Sequence, residues 1–158
     1  MLITLEKATS EDASALHAIQ IKSFLPLLEK YKDYETNPAC EPIDKTLQRI
    51  NDPLKGFYKI LKDQILVGGI GIKHTAPRTL FLGPIFIDPS FQNQKIAQKA
   101  LKLIEDVFQS VDFFELATMV QEKGNIHLYE KNGYVVHGES KKVNDSLVIL
   151  FFRKKRRY

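Results

Sequence analysis

The chain has 158 residues, 44% hydrophobic and 27% charged, a balance that fits one compact domain with a real core and excludes a chain disordered throughout. Its net charge is +4, but five of the six residues from Arg153 to Tyr158 are basic, and without them +4 becomes −1, so the basicity reads as a tail rather than a face. No apolar run approaches the roughly 20 residues that span a membrane, the start Met1-Leu2-Ile3-Thr4-Leu5-Glu6 has no signal-peptide pattern, and the single cysteine, Cys40, cannot form an intramolecular disulfide and fits a reducing, cytoplasmic setting.

Ile3-Thr4-Leu5 alternates and reads as a first strand. Thr9, with Asp12 three residues on, has capping-box spacing and opens a helix through Ala15, Leu16, Ala18, Ile19 and Ile21, which Pro26 is expected to stop. Leu27 to Tyr34 reads as a second helical piece. Glu35 to Pro42 is a turn-rich loop holding Cys40 with no base beside it, and Ile43 to Ile50 is a short helix ended by Asn51-Asp52-Pro53. Phe57 to Leu61 and Ile65 to Ile72 are strand-like runs around a Lys62-Asp63-Gln64 turn.

Gly68-Gly69-x-Gly71 lies inside a strand with no helix after it. That excludes a dinucleotide fingerprint and points to a bulge or to the close approach of another backbone or a ligand. Leu80 to Ile87 is a strand broken by Asp88-Pro89-Ser90, and from Gln94 on Ile96, Ala100, Leu103, Ile104, Val107 and Phe108 fall at helical spacing. Phe113 to Thr118 is a strand, Glu122 to Asn125 a turn, and Asn125 to Lys131 a short helix closed by Asn132-Gly133. Tyr134-Val135-Val136 begins a strand, Lys141 to Asp145 is a polar turn, and Ser146 to Phe152 is the last strand. The expected organisation is one domain over residues 1–152 and a basic tail over 153–158.

The strand, loop and long amphipathic helix around Asp88 form a unit with chemical meaning. The first N–H groups of a helix have no intrahelical partner, and with the positive end of the helix dipole they make an anion site. The segment Gln92–Ala97 has no acidic residue and supplies Lys95, so it suits a phosphate or pyrophosphate. Its spacing resembles the loop of the GNAT superfamily of N-acetyltransferases, Gln/Arg-x-x-Gly-x-Gly/Ala, with Gln92 in the first slot, Ala97 in the last, and Lys95 where the family usually has Gly. A second constellation, Asn125-x-x-x-Tyr129-x-Lys131-x-Gly133-Tyr134, is similar to a later block of the same family. Asn125 and Tyr129 are one helical turn apart and share a face.

The resemblance implies an α/β fold, a mixed, mostly antiparallel sheet flanked by helices, with acetyl-CoA as co-substrate and no metal. It implies that Gln92, Asn93, Gln94, Lys95, Ile96 and Ala97 hold the pyrophosphate, that Asn125 meets the pantetheine arm, and that Tyr129 gives its proton to the departing thiolate. In the family the strand before the loop splays from its neighbour, which would leave the backbone of Ile85 and Ile87 free to pair with pantetheine. No activated Ser or Cys is apparent, so direct attack by a primary amine of a small molecule or protein is expected. Tyr31, Tyr34, Glu35 and Asn37 are candidates for the acceptor pocket, each with ordinary surface as its competing reading. Glu115, Asp88, His74, Glu35 and His127 are all candidate bases, and none stands out. Two alternatives stay open: a non-catalytic acyl-CoA binding or sensing module, and a nucleic-acid- or ribosome-associated protein using the basic tail. A membrane partner is not expected, nucleic acid is disfavoured, and a homodimer is left open.

Overall fold

Residues 1–156 are described by the computed structural model. Strands and helices follow in the order β1 (Ile3–Lys7), α1 (Ala13–Tyr31), α2 (Ile43–Asn51), β2 (Lys55–Lys62), β3 (Ile65–Ala76), β4 (Thr79–Ile87), α3 (Ile96–Val107), β5 (Phe113–Met119), α4 (Lys123–Lys131), β6 (Val135–Val136), β7 (Lys141–Asn144) and β8 (Leu147–Lys155). They build one mixed sheet, ordered β1-β2-β3-β4-β5-β8-β6, with β7 also on β8. Every pairing is antiparallel except β4 with β5. This is the α/β architecture expected.

Each face of the sheet carries its own core. On one, Ile96, Ala100, Leu101 and Ile104 of α3 pack with Ile60, Val67, Ile70, Leu80 and Leu82. This is the apolar stripe seen in the sequence, and burying it drives α3 onto the sheet. On the other, Leu16 of α1 packs with Phe57 and Phe86, and Phe24 meets Phe86 edge to face at 6.2 Å. The Thr9 capping box forms, with Thr9 N donating to Asp12 Oδ2 at 2.8 Å. The β2–β3 hairpin turns on Asp63 and Gln64, both at positive φ (48° and 71°), the geometry that matches strand twist in two-residue loops.

Three expectations meet corrections. Pro26 does not stop the first helix: α1 runs through it to Tyr31 and ends on Lys32 in the left-handed region. Pro26 is exposed, so the carbonyl it leaves unpaired faces solvent, while Phe24 and Leu27 on either side are partly buried. Lys141 to Asn144 is not a turn but β7, paired with β8. The basic end is not a free tail from residue 153. Arg153, Lys154 and Lys155 complete β8, with Arg153 on Glu115 (2.8 Å) and Lys154 on Glu105 (3.0 Å). Arg156 donates to the carbonyls of Val111 (2.7 Å) and Glu105 (2.8 Å) and to that of Phe108. Arg157 and Tyr158 lie outside the described residues.

Candidate active site at the split between two strands

β4 and β5 are paired only from Thr79 to Phe81, against Phe113 to Glu115. Beyond Phe81 they separate. On its other side β4 stays on β3 through an irregular register between Ile70 and Ile72, made possible by glycine. A Cβ on Gly71 would lie 2.5 Å from the Gly83 oxygen, and one on Gly68 would lie 2.2 Å from the Phe86 oxygen. The glycine series therefore marks a bulge and a close backbone approach, as its position in a strand suggests. Asp88 N donates to Val67 O at 2.7 Å, and antiparallel pairs alternate between bonded and open. By that alternation the polar groups of Ile85 and Ile87 point away from β3, into the split.

The loop after β4 is held in a particular shape. Gln92 Nε2 donates to the Ile87 carbonyl at 3.1 Å, and Ser23 Oγ from α1 lies 3.0 Å from the same oxygen. Asn93 and Lys95 both take φ 61°, so Lys95 has the left-handed conformation that glycine adopts without cost. Gln94 Oε1 accepts from Lys62 Nζ at 2.6 Å, which ties the loop to β2. Ile96 is 2% exposed and part of the core, so only its backbone is open to a ligand. α3 opens after Lys95 with no side-chain cap, so its first N–H groups lack an intrahelical partner.

Across the split, α4 places Tyr129 and Asn125 in the wall of one cavity of about 390 Å³, large enough for a small ligand group. Asn125 is exposed, whereas Tyr129 is buried against Tyr134 and Phe152, ring centroids 6.1 and 6.2 Å away. Burial pushes the Tyr129 hydroxyl up to about 12. Gly133 at φ 93° lets the chain leave α4 and bury Tyr134 beneath it. The cavity passes through the split: Leu82 and Ile85 line it from β4 and Thr118 from β5. On the α1 face it opens into a chamber walled by Phe24, Leu27, Phe81, Met119, Ile149 and Phe151, with Asp33, Asn37, Glu41, Arg49 and Lys141 as its charged and amide groups.

Of the expected acceptor residues, only Asn37 reaches this chamber. Tyr31 is buried, its hydroxyl donating to Glu122 and its carbonyl accepting from Asn144 Nδ2 at 3.0 Å. Tyr34 and Glu35 are exposed. None of the five candidate bases lines the cavity. Glu115 is paired with Arg153, Asp88 with Lys22 and the Ser90 N–H, and His74 stacks edge-on to Phe108. The chamber's own carboxylates, Asp33 and Glu41, escape a sequence reading because the rest of the chamber wall comes from distant elements. Asp33 accepts from the N–H groups of Glu35 (3.2 Å) and Thr36 (2.9 Å) and from the Thr36 hydroxyl. Burial pulls the Glu41 carboxyl upward, but a two-bond pair with Arg49 (2.8 and 2.9 Å) and a bond from Gln20 outweigh it and hold it below its ordinary value. Among the described residues no group of three or more His, Cys, Asp or Glu is placed to hold a metal, and no helix is long and apolar enough to cross a membrane.

A sheet split over a cavity, with an uncapped helix start after one strand and a buried tyrosine in the wall, matches a known class of acyl-transfer enzymes. The chain matches the model of the Acetyltransferase (GNAT) family over residues 16–134 and belongs to that family. Solved structures share its fold. They include a spermidine N-acetyltransferase from Vibrio cholerae in complex with CoA and spermine (18% identity, TM-score 0.75, 97% of this chain and 95% of that one). A PaiA N-acetyltransferase from Thermoplasma acidophilum in complex with coenzyme A aligns at 18% identity and TM-score 0.73, over 99% and 100% of the two chains. A ribosomal-protein alanine N-acetyltransferase from Escherichia coli aligns at 12% identity and TM-score 0.76, over 98% and 94%. No curated protein matches the chain by sequence.

Proposed function

We propose that the chain is an acetyl-CoA-dependent N-acetyltransferase acting in the cytoplasm on a primary amine of a small molecule or protein. The carrying observation is that β4 leaves β5 beyond Phe81 and that Ile85 of its freed edge lines the same cavity as Tyr129. In this reading the pyrophosphate rests on the Gln92–Ala97 loop and Lys95. The pantetheine arm pairs with β4 and passes Asn125, and the amine enters from the α1-face chamber. Fixing the two reactants in attack geometry removes much of the barrier. The amine lone pair forms the C–N bond and charge moves to the carbonyl oxygen, where N–H groups at the split stabilise it. The oxyanion then collapses, the C–S bond breaks, and the thiolate takes the Tyr129 proton. The proton lost by nitrogen leaves through water and returns one to Tyr129, so acetyl-CoA and amine become amide and free thiol. A hydroxyl pushed up to about 12 stays protonated at neutral pH and can serve as that acid.

Thiol release from acetyl-CoA with an amine panel is the test. Turnover that needs an amine is expected. Binding of acetyl-CoA with no turnover on any amine would favour the sensing-module alternative. The basic end gives the nucleic-acid alternative little to work with, because Arg153, Lys154 and Arg156 are engaged within the fold.

A further inference from the structure

The chamber's polar groups are unevenly spent. Both carboxylates in its wall already accept several hydrogen bonds, Asp33 from its own turn and Glu41 from Arg49 and Gln20, and the Glu41 charge is met by Arg49. Donors remain. Asn37 is 2% exposed. Its Oδ1 accepts from Ala39 N at 2.8 Å, which fixes the orientation of the amide, and its Nδ2 is buried with no partner. An unmet buried donor is costly. Arg49 spends only part of its guanidinium on Glu41, and Lys141 lines the same chamber with no ion pair or hydrogen bond among the described residues. Donors left without acceptors in such a wall suit a ligand oxygen.

We propose that the acceptor amine carries a carboxylate or carbonyl oxygen beside its nitrogen, as an amino acid or a peptide N-terminus does, and that Asn37 recognises this oxygen. The proposal rests on the N-acetyltransferase reading and narrows it. Spermine, bound by the spermidine N-acetyltransferase whose fold this chain shares, has no such oxygen.

The test measures thiol release with three amines: a free amino acid, a tripeptide beginning with the same residue, and a diamine of similar length without oxygen. The first two separate the small-molecule and peptide sources. At least one oxygen-bearing amine is expected to exceed the diamine in kcat/KM by about tenfold or more, the scale of a charge-assisted hydrogen bond. Asn37→Asp keeps the oxygen that caps Ala39 N but removes the donor. It is expected to raise the KM for the oxygen-bearing amine by about tenfold or more, with the KM for acetyl-CoA held. Lys141→Ala, at an exposed position, gives a second variant free of folding effects and should raise the same KM.

A diamine used as well as or better than both oxygen-bearing amines would overturn the proposal. So would an unchanged amine KM in Asn37→Asp, or acetyl-CoA binding with no turnover of either oxygen-bearing amine. Failure of acetyl-CoA to bind at all, measured without any acceptor, is a separate result and strikes the N-acetyltransferase reading itself.

Discussion

In the proposed reaction Tyr129 concentrates the chemistry in one side chain whose environment tunes it. Burial raises its hydroxyl from the ordinary 10 to about 12, so no loss of this acid is expected at neutral or mildly alkaline pH. Tyr129→Phe removes the proton but keeps the ring against Tyr134 and Phe152. Turnover should fall roughly 100-fold or more with acetyl-CoA affinity unchanged, a split that steady-state rates and calorimetry resolve together. The same shift bears on stability. The folded pKa is raised, so its stabilisation is fully present below pH 10 and is lost as pH rises toward 12. Denaturant melts should lose stability across that window, and by roughly 1.4 kcal/mol per unit Tyr129→Phe should lose about 3 kcal/mol less. Lys95 shows a different compromise. It holds φ 61° at a position where glycine would relax. Lys95→Gly should stabilise the fold by up to about 1 kcal/mol and weaken acetyl-CoA binding, most visibly at low salt.

At the scale of elements, the split depends on how closely β3 and β4 approach. A methyl at Gly71 would press on the Gly83 carbonyl, a backbone atom that cannot swing aside. Gly71→Ala should cost about 1–3 kcal/mol and impair turnover through a moved β4, as melts and rates on the same sample would show. Most elements were legible because their apolar period is strong. The α3 stripe, the β4 run and the Asn132-Gly133 cap each carry local physics that the fold obeys. Pro26 misleads because the local cost of a helical proline is outweighed by the packing of Phe24 and Leu27, which sequence spacing does not weigh. Lys141 to Asn144 reads as a turn because an edge strand facing water has no apolar alternation to show. The proposed cofactor half of the site could be named from the sequence because it lies within two continuous stretches. The acceptor half could not, since Phe24, Asp33, Arg49, Met119 and Phe151 converge from five separate parts of the chain.

The whole molecule is two half-sheets joined behind the split and tied again across its mouth. Tyr31 of α1 donates to Glu122 before α4 and accepts from Asn144 at the end of β7, while Lys30 pairs with Glu122 at 3.0 Å. These contacts explain why Tyr31 is buried outside the pocket that the sequence suggests for it. Behind the split, the basic end holds β8 to β5 and to the end of α3. Truncation after Phe152 removes the Arg153–Glu115 and Lys154–Glu105 pairs and the three carbonyl bonds of Arg156. It should lower the melting temperature sharply, where loss of a detached tail would leave it unchanged.

The most direct test of the central claim, that the split sheet and its loop form an acetyl-CoA site, is isothermal titration of the full chain with acetyl-CoA beside Tyr129→Phe and a variant altered across Gln92–Ala97. The account expects binding by the unaltered chain and by Tyr129→Phe, and loss of binding in the loop variant with its melting temperature preserved. No binding of acetyl-CoA or a longer acyl-CoA by the unaltered chain would contradict it.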